Sequence, residues 1–258
     1  MILALNIGNS NITFGGYTPD GKLVFSSRLF ADTALSSDEL LYKIVNMLAL
    51  YGAEPQQITA VIFSSVVPAL TPRLREALRK MCECQIMEVG PGLKSGVRIR
   101  MDNPAQLGAE LLCGAVAALE EGPGPLAVIS ADTAISIMAV NGKQELVGGV
   151  ILPGPQLSLA SLVQKTAQLP QIDLSAPAPA SVLGKNTASC LQNGFVLGTA
   201  GLLDGLADRF RAELGPEAKF YATGSLPRSI REACRTPILY RETLITDGLY
   251  RIWLRNRR

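Results

Sequence analysis

One run of elements appears twice in the chain, and this repetition constrains the fold more than any single motif. Ile2 to Leu5 is an apolar stretch broken by Asn6-Ile7-Gly8-Asn9-Ser10-Asn11; it resumes as Ile12-Thr13-Phe14, turns at Pro19-Asp20-Gly21 and continues through Leu23-Val24-Phe25. The same order returns as Leu126 to Ile129, the polar loop Ser130-Ala131-Asp132-Thr133, Ile135 to Met138, a turn at Asn141-Gly142 and Leu146-Val147. An offset of 124 residues places Asn6 on Ser130, Gly8 on Asp132 and Asn9 on Thr133. Two unrelated hairpins of similar length would look alike at this level, but length, order and turn chemistry together favour a duplication.

Helical patterns follow each run. Ser36-Ser37-Asp38-Glu39 opens a helix to about Tyr51, Pro72 opens another through Met81, and a third covers about 105–119. Ala60 to Phe63 and Gln85 to Val89 read as strands. The breaker Gly122-Pro123-Gly124-Pro125 divides the chain into expected domains at 1–120 and 121–258. The second contains a stiff surface loop at Ala176–Ala180, a helix at about 187–214 weakened near Gly198–Gly201, a strand at Phe220–Gly224 and a final helix over about 246–254. Strands alternating with helices in both halves predict an α/β protein.

Composition then excludes chemistry. The chain has no histidine, so no imidazole base, Ser-His or Cys-His nucleophile or His-ligated zinc exists within it. Its five cysteines, Cys82, Cys84, Cys113, Cys190 and Cys234, include one close pair and suit neither a disulfide framework nor a zinc ribbon, so reduced, buried thiols are expected. With 24 basic and 22 acidic residues the net charge is +2, which predicts no nucleic-acid partner. No apolar run reaches the ~18 residues of a membrane span, and the start of the chain has no basic n-region. The expectation is a cytoplasmic protein without a membrane partner.

A polar, glycine-containing loop between two apolar strands can bring backbone N–H groups to an anion. Asn6 to Asn11 suits that role, and a tight hairpin built on Asx and Ser turns would look the same.

Taken in order, the motifs resemble those of type III pantothenate kinases. They are Asn6-Ile7-Gly8-Asn9-Ser10-Asn11, Ser64-Ser65-Val66-Val67-Pro68, Gly90-Pro91-Gly92-Leu93-Lys94-Ser95-Gly96, Asp102-Asn103-Pro104 and Gly108-Ala109-Glu110. Gly148-Gly149-Val150-Ile151 with Pro153-Gly154, Leu169-Pro170, Gly184-Lys185-Asn186-Thr187 and Ala222-Thr223-Gly224 complete the series. The resemblance implies two duplicated RNase H-like halves of the actin, Hsp70 and sugar-kinase type, with a nucleotide cleft between them. It implies transfer of the γ-phosphoryl of ATP to pantothenate, the first step of coenzyme A synthesis. It also implies Mg²⁺, a monovalent cation (K⁺ or NH₄⁺), and a dimer with the pantothenate pocket at the subunit boundary.

Carried over residue by residue, the resemblance assigns nucleotide contacts to Asn6, Gly8, Asn9, Ser10, Asn11, Thr13 and Thr133, and pantothenate contacts to Met101, Gly108, Ala109, Glu110, Leu111 and Thr187. Glu110 takes the place of the catalytic aspartate. Elsewhere the pattern is broken: Asn6 stands for an aspartate that helps hold Mg²⁺-ATP, Leu111 for an arginine at the transferring phosphate, Ser130 for the aspartate of the monovalent-cation site, Met101 for a tyrosine, and Ser225 for a glycine. Lys94 and Lys185 remain as cations, each equally suited to a solvated surface.

Loss of a transition-state arginine can cost ~10³–10⁵-fold in phosphoryl transfer, and a misplacement of ~1 Å can cost ~100-fold. A poor kinase when alone, paired with an active homologue, is therefore expected. An active divergent homodimer and a non-catalytic module sensing ATP, pantothenate or coenzyme A are the alternatives. Asp132, two residues beyond Ser130 and ~6.6 Å along an extended segment, either supplies a displaced carboxylate or obstructs the loop, and sterics favour obstruction.

Overall fold

The computed structural model describes residues 1–257. In chain order the elements are β1 (Ile2–Ile7), β2 (Asn11–Tyr17), β3 (Leu23–Phe30), α1 (Ser37–Leu50), β4 (Ala60–Ser65), α2 (Thr71–Met81), β5 (Gln85–Glu88), β6 (Arg98–Ile99) and α3 (Ala109–Glu120). There follow β7 (Leu126–Ala131), β8 (Ala134–Val140), β9 (Glu145–Pro153), α4 (Pro155–Gln164), α5 (Thr187–Leu214), β10 (Lys219–Gly224), α6 (Arg228–Ala233), β11 (Ile238–Tyr240) and α7 (Leu244–Asn256). They form two compact units. The first holds 1–98 and 102–121 and takes back the chain from Thr243 on; the second holds 99–101 and 122–242. The sequence reading divides the chain once, whereas these units divide it again before α7.

In the first unit the sheet order is β3-β2-β1-β4-β5. The strands β1, β2 and β3 pair antiparallel, and β1, β4 and β5 pair parallel. All six residues of β1 are buried, as expected of a central strand covered on both faces. Leu40, Ile44, Leu74 and Leu78 of α1 and α2 pack on Leu3, Leu5, Val61 and Phe63. The Ser36–Glu39 capping box fixes the start of α1.

The second unit's sheet order is β11-β10-β7-β8-β9-β6. Its β7, β8 and β9 pair antiparallel and β7, β10 and β11 parallel, so the first five strands repeat the first unit's topology. The repeat extends to detail. Each second-to-third strand ladder slips once, at Gly16/Tyr17 and at Ala139/Val140. Each hairpin is closed alike, with the N–H of Lys22 bonded to Thr18 Oγ1 and that of Glu145 to Asn141 Oδ1. The loop after the first strand differs, being Gly8-Asn9-Ser10 in one unit and the shorter Asp132-Thr133 in the other. Val196, Ala200, Leu203 and Ala207 of α5 pack on Ala127, Ile129, Phe220 and Ala222.

The expected weak point in the long helix is not there. α5 runs unbroken through Gly198 and Gly201, around which a β-carbon would meet open space, so these glycines mark no bend or close contact. Ala176–Ala180 has no regular structure, as expected. Among the described residues no helix is long and apolar enough to cross a membrane.

Candidate functional site

In a parallel pair, polar side chains at the carboxyl ends of adjacent strands lie side by side, and open α/β sheets place their ligand sites at that end. Both units follow this rule. Asn6 near the end of β1 lies in register with Ser64 of β4, and Ser130 near the end of β7 lies in register with Thr223 of β10.

In the first unit Ser64 is fully buried and Asn6 is 4% exposed. The Ser64 hydroxyl donates to Asn6 Oδ1 at 2.8 Å. That bond occupies the amide oxygen and turns Nδ2 the other way. A β-carbon on Gly8 would lie 4.0 Å from Asn6 Nδ2 and 3.9 Å from Glu110 Oε2, so amide and carboxylate converge on the loop. Asn6 therefore faces the loop as a hydrogen-bond donor, whereas an aspartate there would be an anionic acceptor.

The loop itself is a closed turn. The N–H of Gly8 donates to Asn11 O at 2.9 Å, and Ser10 O accepts from Ala31 N at 3.0 Å. Gly8 N–H is thus spent within the turn, which leaves close backbone approach as what this residue offers a ligand. Asn9 is exposed, while Ser10, Asn11 and Thr13 are half-buried; Thr13 lies opposite Asn6 across the β1–β2 ladder.

Glu110, half-buried, lies in the first turn of α3, next to Gly108 and Ala109. One turn on, Cys113 is wholly buried; burial pushes its thiol well above the usual range, and the nearby Ser64 lowers it only in part. The Leu111 side chain is 7% exposed, and its Cδ1 would lie 3.7 Å from a β-carbon on Gly108. The position that the resemblance assigns to arginine is thus filled by an interior packing group. Cys113 is the buried, free thiol expected from the sequence; its place near Glu110, and any role for Ser64, were not anticipated. The three-residue spacing from Glu110 on one helix was the available signal for the cysteine.

In the second unit Ser130 is 6% exposed and Thr133 is exposed. Asp132 Oδ1 accepts from Ser225 Oγ at 2.6 Å, so the residue at the Gly8-equivalent position is held by the serine after Gly224. The backbone is tightly closed here: Ser225 N–H donates to Ala131 O at 2.5 Å and Gly154 N–H to Thr133 O at 2.9 Å. A β-carbon on Gly154 would come within 2.3 Å of Asp132 O, and one on Gly224 within 2.3 Å of Ala131 O, so neither site admits a side chain. Met101 is half-buried on the short segment 99–101, and Thr187 is exposed at the start of α5, behind the Asn186–Ser189 capping box. Lys94 and Lys185 are exposed.

Comparison with known proteins follows the same line. The profile of a family described as type III pantothenate kinase matches residues 2–209. A type III pantothenate kinase of Solibacter usitatus is 36% identical over 99% of this chain and 97% of its own length. Another, of an Exiguobacterium species, is 34% identical over 100% of both. A ROK family protein from Streptococcus pneumoniae, solved in complex with sucrose, superposes with a TM-score of 0.51 at 12% identity, covering 98% of each chain. At that identity the likeness concerns the fold, which is that of duplicated RNase H-like halves.

Proposed function

Because the chain belongs to the type III pantothenate kinase family, we propose that it serves the ATP-dependent phosphorylation of pantothenate in coenzyme A synthesis, turning over weakly alone and acting as a subunit with an active homologue. The observation that carries this reading is the bond from Ser64 to Asn6 Oδ1, which leaves a donor where a hard cation favours an anionic oxygen. The interior packing of Leu111 supports it, since no guanidinium projects from that turn.

In the proposed reaction Mg²⁺ enters as part of the substrate MgATP. Asn6, Gly8, Asn9, Ser10, Asn11, Thr13 and Thr133 attend the nucleotide, and Met101, Gly108, Ala109, Leu111 and Thr187 the pantothenate. The Glu110 carboxylate accepts the proton of the attacking hydroxyl as its oxygen bonds to the γ-phosphorus and the bond to ADP breaks. The Ser130 position fits a monovalent cation poorly: its hydroxyl is neutral, and the neighbouring Asp132 carboxylate is turned to Ser225. The reaction belongs to the cytoplasm.

A second reading, an active divergent homodimer, is favoured by the Glu110 carboxylate lying beside the Gly8 loop. A coupled ADP-release assay on the purified chain separates the two. Slow turnover alone, rising when a homologue with intact aspartates is co-purified, supports the subunit reading. Ordinary kinase turnover by the single chain, abolished by Glu110→Gln, supports the homodimer. Titration with ATP that gives binding without turnover in either setting indicates a sensing module.

A further inference from the structure

Cys82 closes α2 and Cys84 directly precedes β5, with the exposed Glu83 between them. Both cysteines are half-buried against the core of the first unit. Their sulfurs lie 2.6 Å apart.

That distance discriminates between the roles open to two thiols. A disulfide holds its sulfurs at about 2.05 Å. Two thiolates on one tetrahedral zinc, with bonds of about 2.3 Å, lie about 3.8 Å apart. The observed pair is nearer the covalent distance and well inside what a shared metal allows. The fold has thus already oriented both side chains towards one bond.

We propose that Cys82 and Cys84 form a reversible thiol–disulfide couple, closed by exchange with a low-molecular-weight disulfide such as oxidised glutathione. One cysteine thiolate attacks a glutathione sulfur, forming a mixed disulfide and releasing one glutathione thiolate. The second cysteine thiolate then attacks its partner's sulfur, forming the Cys82–Cys84 bond and releasing the other. The two thiols give up two protons and two electrons, and the oxidised glutathione takes them up as two thiols. Burial, and after it the neighbouring Cys82, push the Cys84 thiol up to about 12. Because the thiolate is the nucleophile, closure should quicken as the pH is raised.

The test uses the full chain in glutathione buffers of graded ratio, followed by acid trapping, alkylation and mass spectrometry of the tryptic peptide that follows Lys80 and carries both cysteines. The expected product is that peptide lighter by two hydrogens, without alkyl groups or glutathione. It should appear at an oxidised-to-reduced ratio about tenfold lower than the urea-unfolded chain requires, since the fold holds the thiols together. Exposed Cys190 supplies the internal reference for simple mixed disulfide. Cys82→Ser should abolish the lighter peptide; its persistence there would overturn the proposal. So would alkylation of both thiols in the native wild type after oxidation, whether or not added zinc protects them beforehand.

Discussion

Asp132 and Ser225 both carry side chains where the family resemblance leads one to expect glycine, and each accounts for the other. The Ser225 hydroxyl holds the Asp132 carboxylate at 2.6 Å. A double-mutant cycle of Asp132→Ala and Ser225→Ala should give a coupling of about 1 kcal/mol in urea unfolding. Asp132→Ala should also tighten ATP by removing a negative charge from the loop, as measured by titration calorimetry. Unchanged affinity would mean that the carboxylate lies away from the phosphates. At the paired site in the first unit, Asn6→Asp would still accept the Ser64 hydroxyl while adding a buried charge. Turnover in the coupled assay should rise about tenfold or more with Mg²⁺, while thermal stability falls. The loop was legible in the sequence, because Asn, Gly and Ser interrupt two apolar runs. The donor character of Asn6 was not. It depends on Ser64, 58 positions away, and only the register of a parallel pair brings the two together.

Single elements owe their placement to a few such groups. Asp204, on α5 and 3% exposed, accepts from the backbone N–H of Thr236 at 2.8 Å and of Arg235 at 3.0 Å, anchoring the chain before β11. Burial alone would raise its carboxyl, but the two N–H groups and the Arg235 guanidinium outweigh burial and hold it below the usual range. A depressed folded pKa stabilises above the unfolded value, near ~3.9, and that stabilisation is lost as pH falls through the folded pKa. Asp204→Asn should cost about 1–3 kcal/mol at neutral pH and progressively less in acid. Hydrogen exchange at the β10 and β11 amides measured at the two pH values checks both parts. The long helices and both hairpins could be read from periodicity and capping residues. Four elements could not. In β6, β11 and α6, runs of 2, 3 and 6 residues are too short to show a period. In α4 the only opening signal was Pro155 after Gly154; Pro153-Gly154 carried the family resemblance, and no helix was expected after it.

On the scale of the whole molecule, the first unit is completed from two distant stretches of chain. Tyr17 donates to Asp247 at 2.6 Å, lies 3.0 Å from the Thr246 hydroxyl and stacks on Tyr250, while Gly248 lies so close to α3 that a β-carbon would fall 1.8 Å from Cys113 O. Gly248→Ala should therefore destabilise the first unit by about 3 kcal/mol or more. The single tryptophan, Trp253 on α7, reports this as a lower urea midpoint in its fluorescence. A chain ending at residue 242 should lose exchange protection in β1–β5 and keep it in β7–β11. The same arrangement bears on biosynthesis, where chains otherwise tend to settle from their N-terminus onward. β1 is translated before the second unit, and the helix that finishes its surroundings after it. The first unit therefore cannot close until the second has been made, so the second should mature ahead of it.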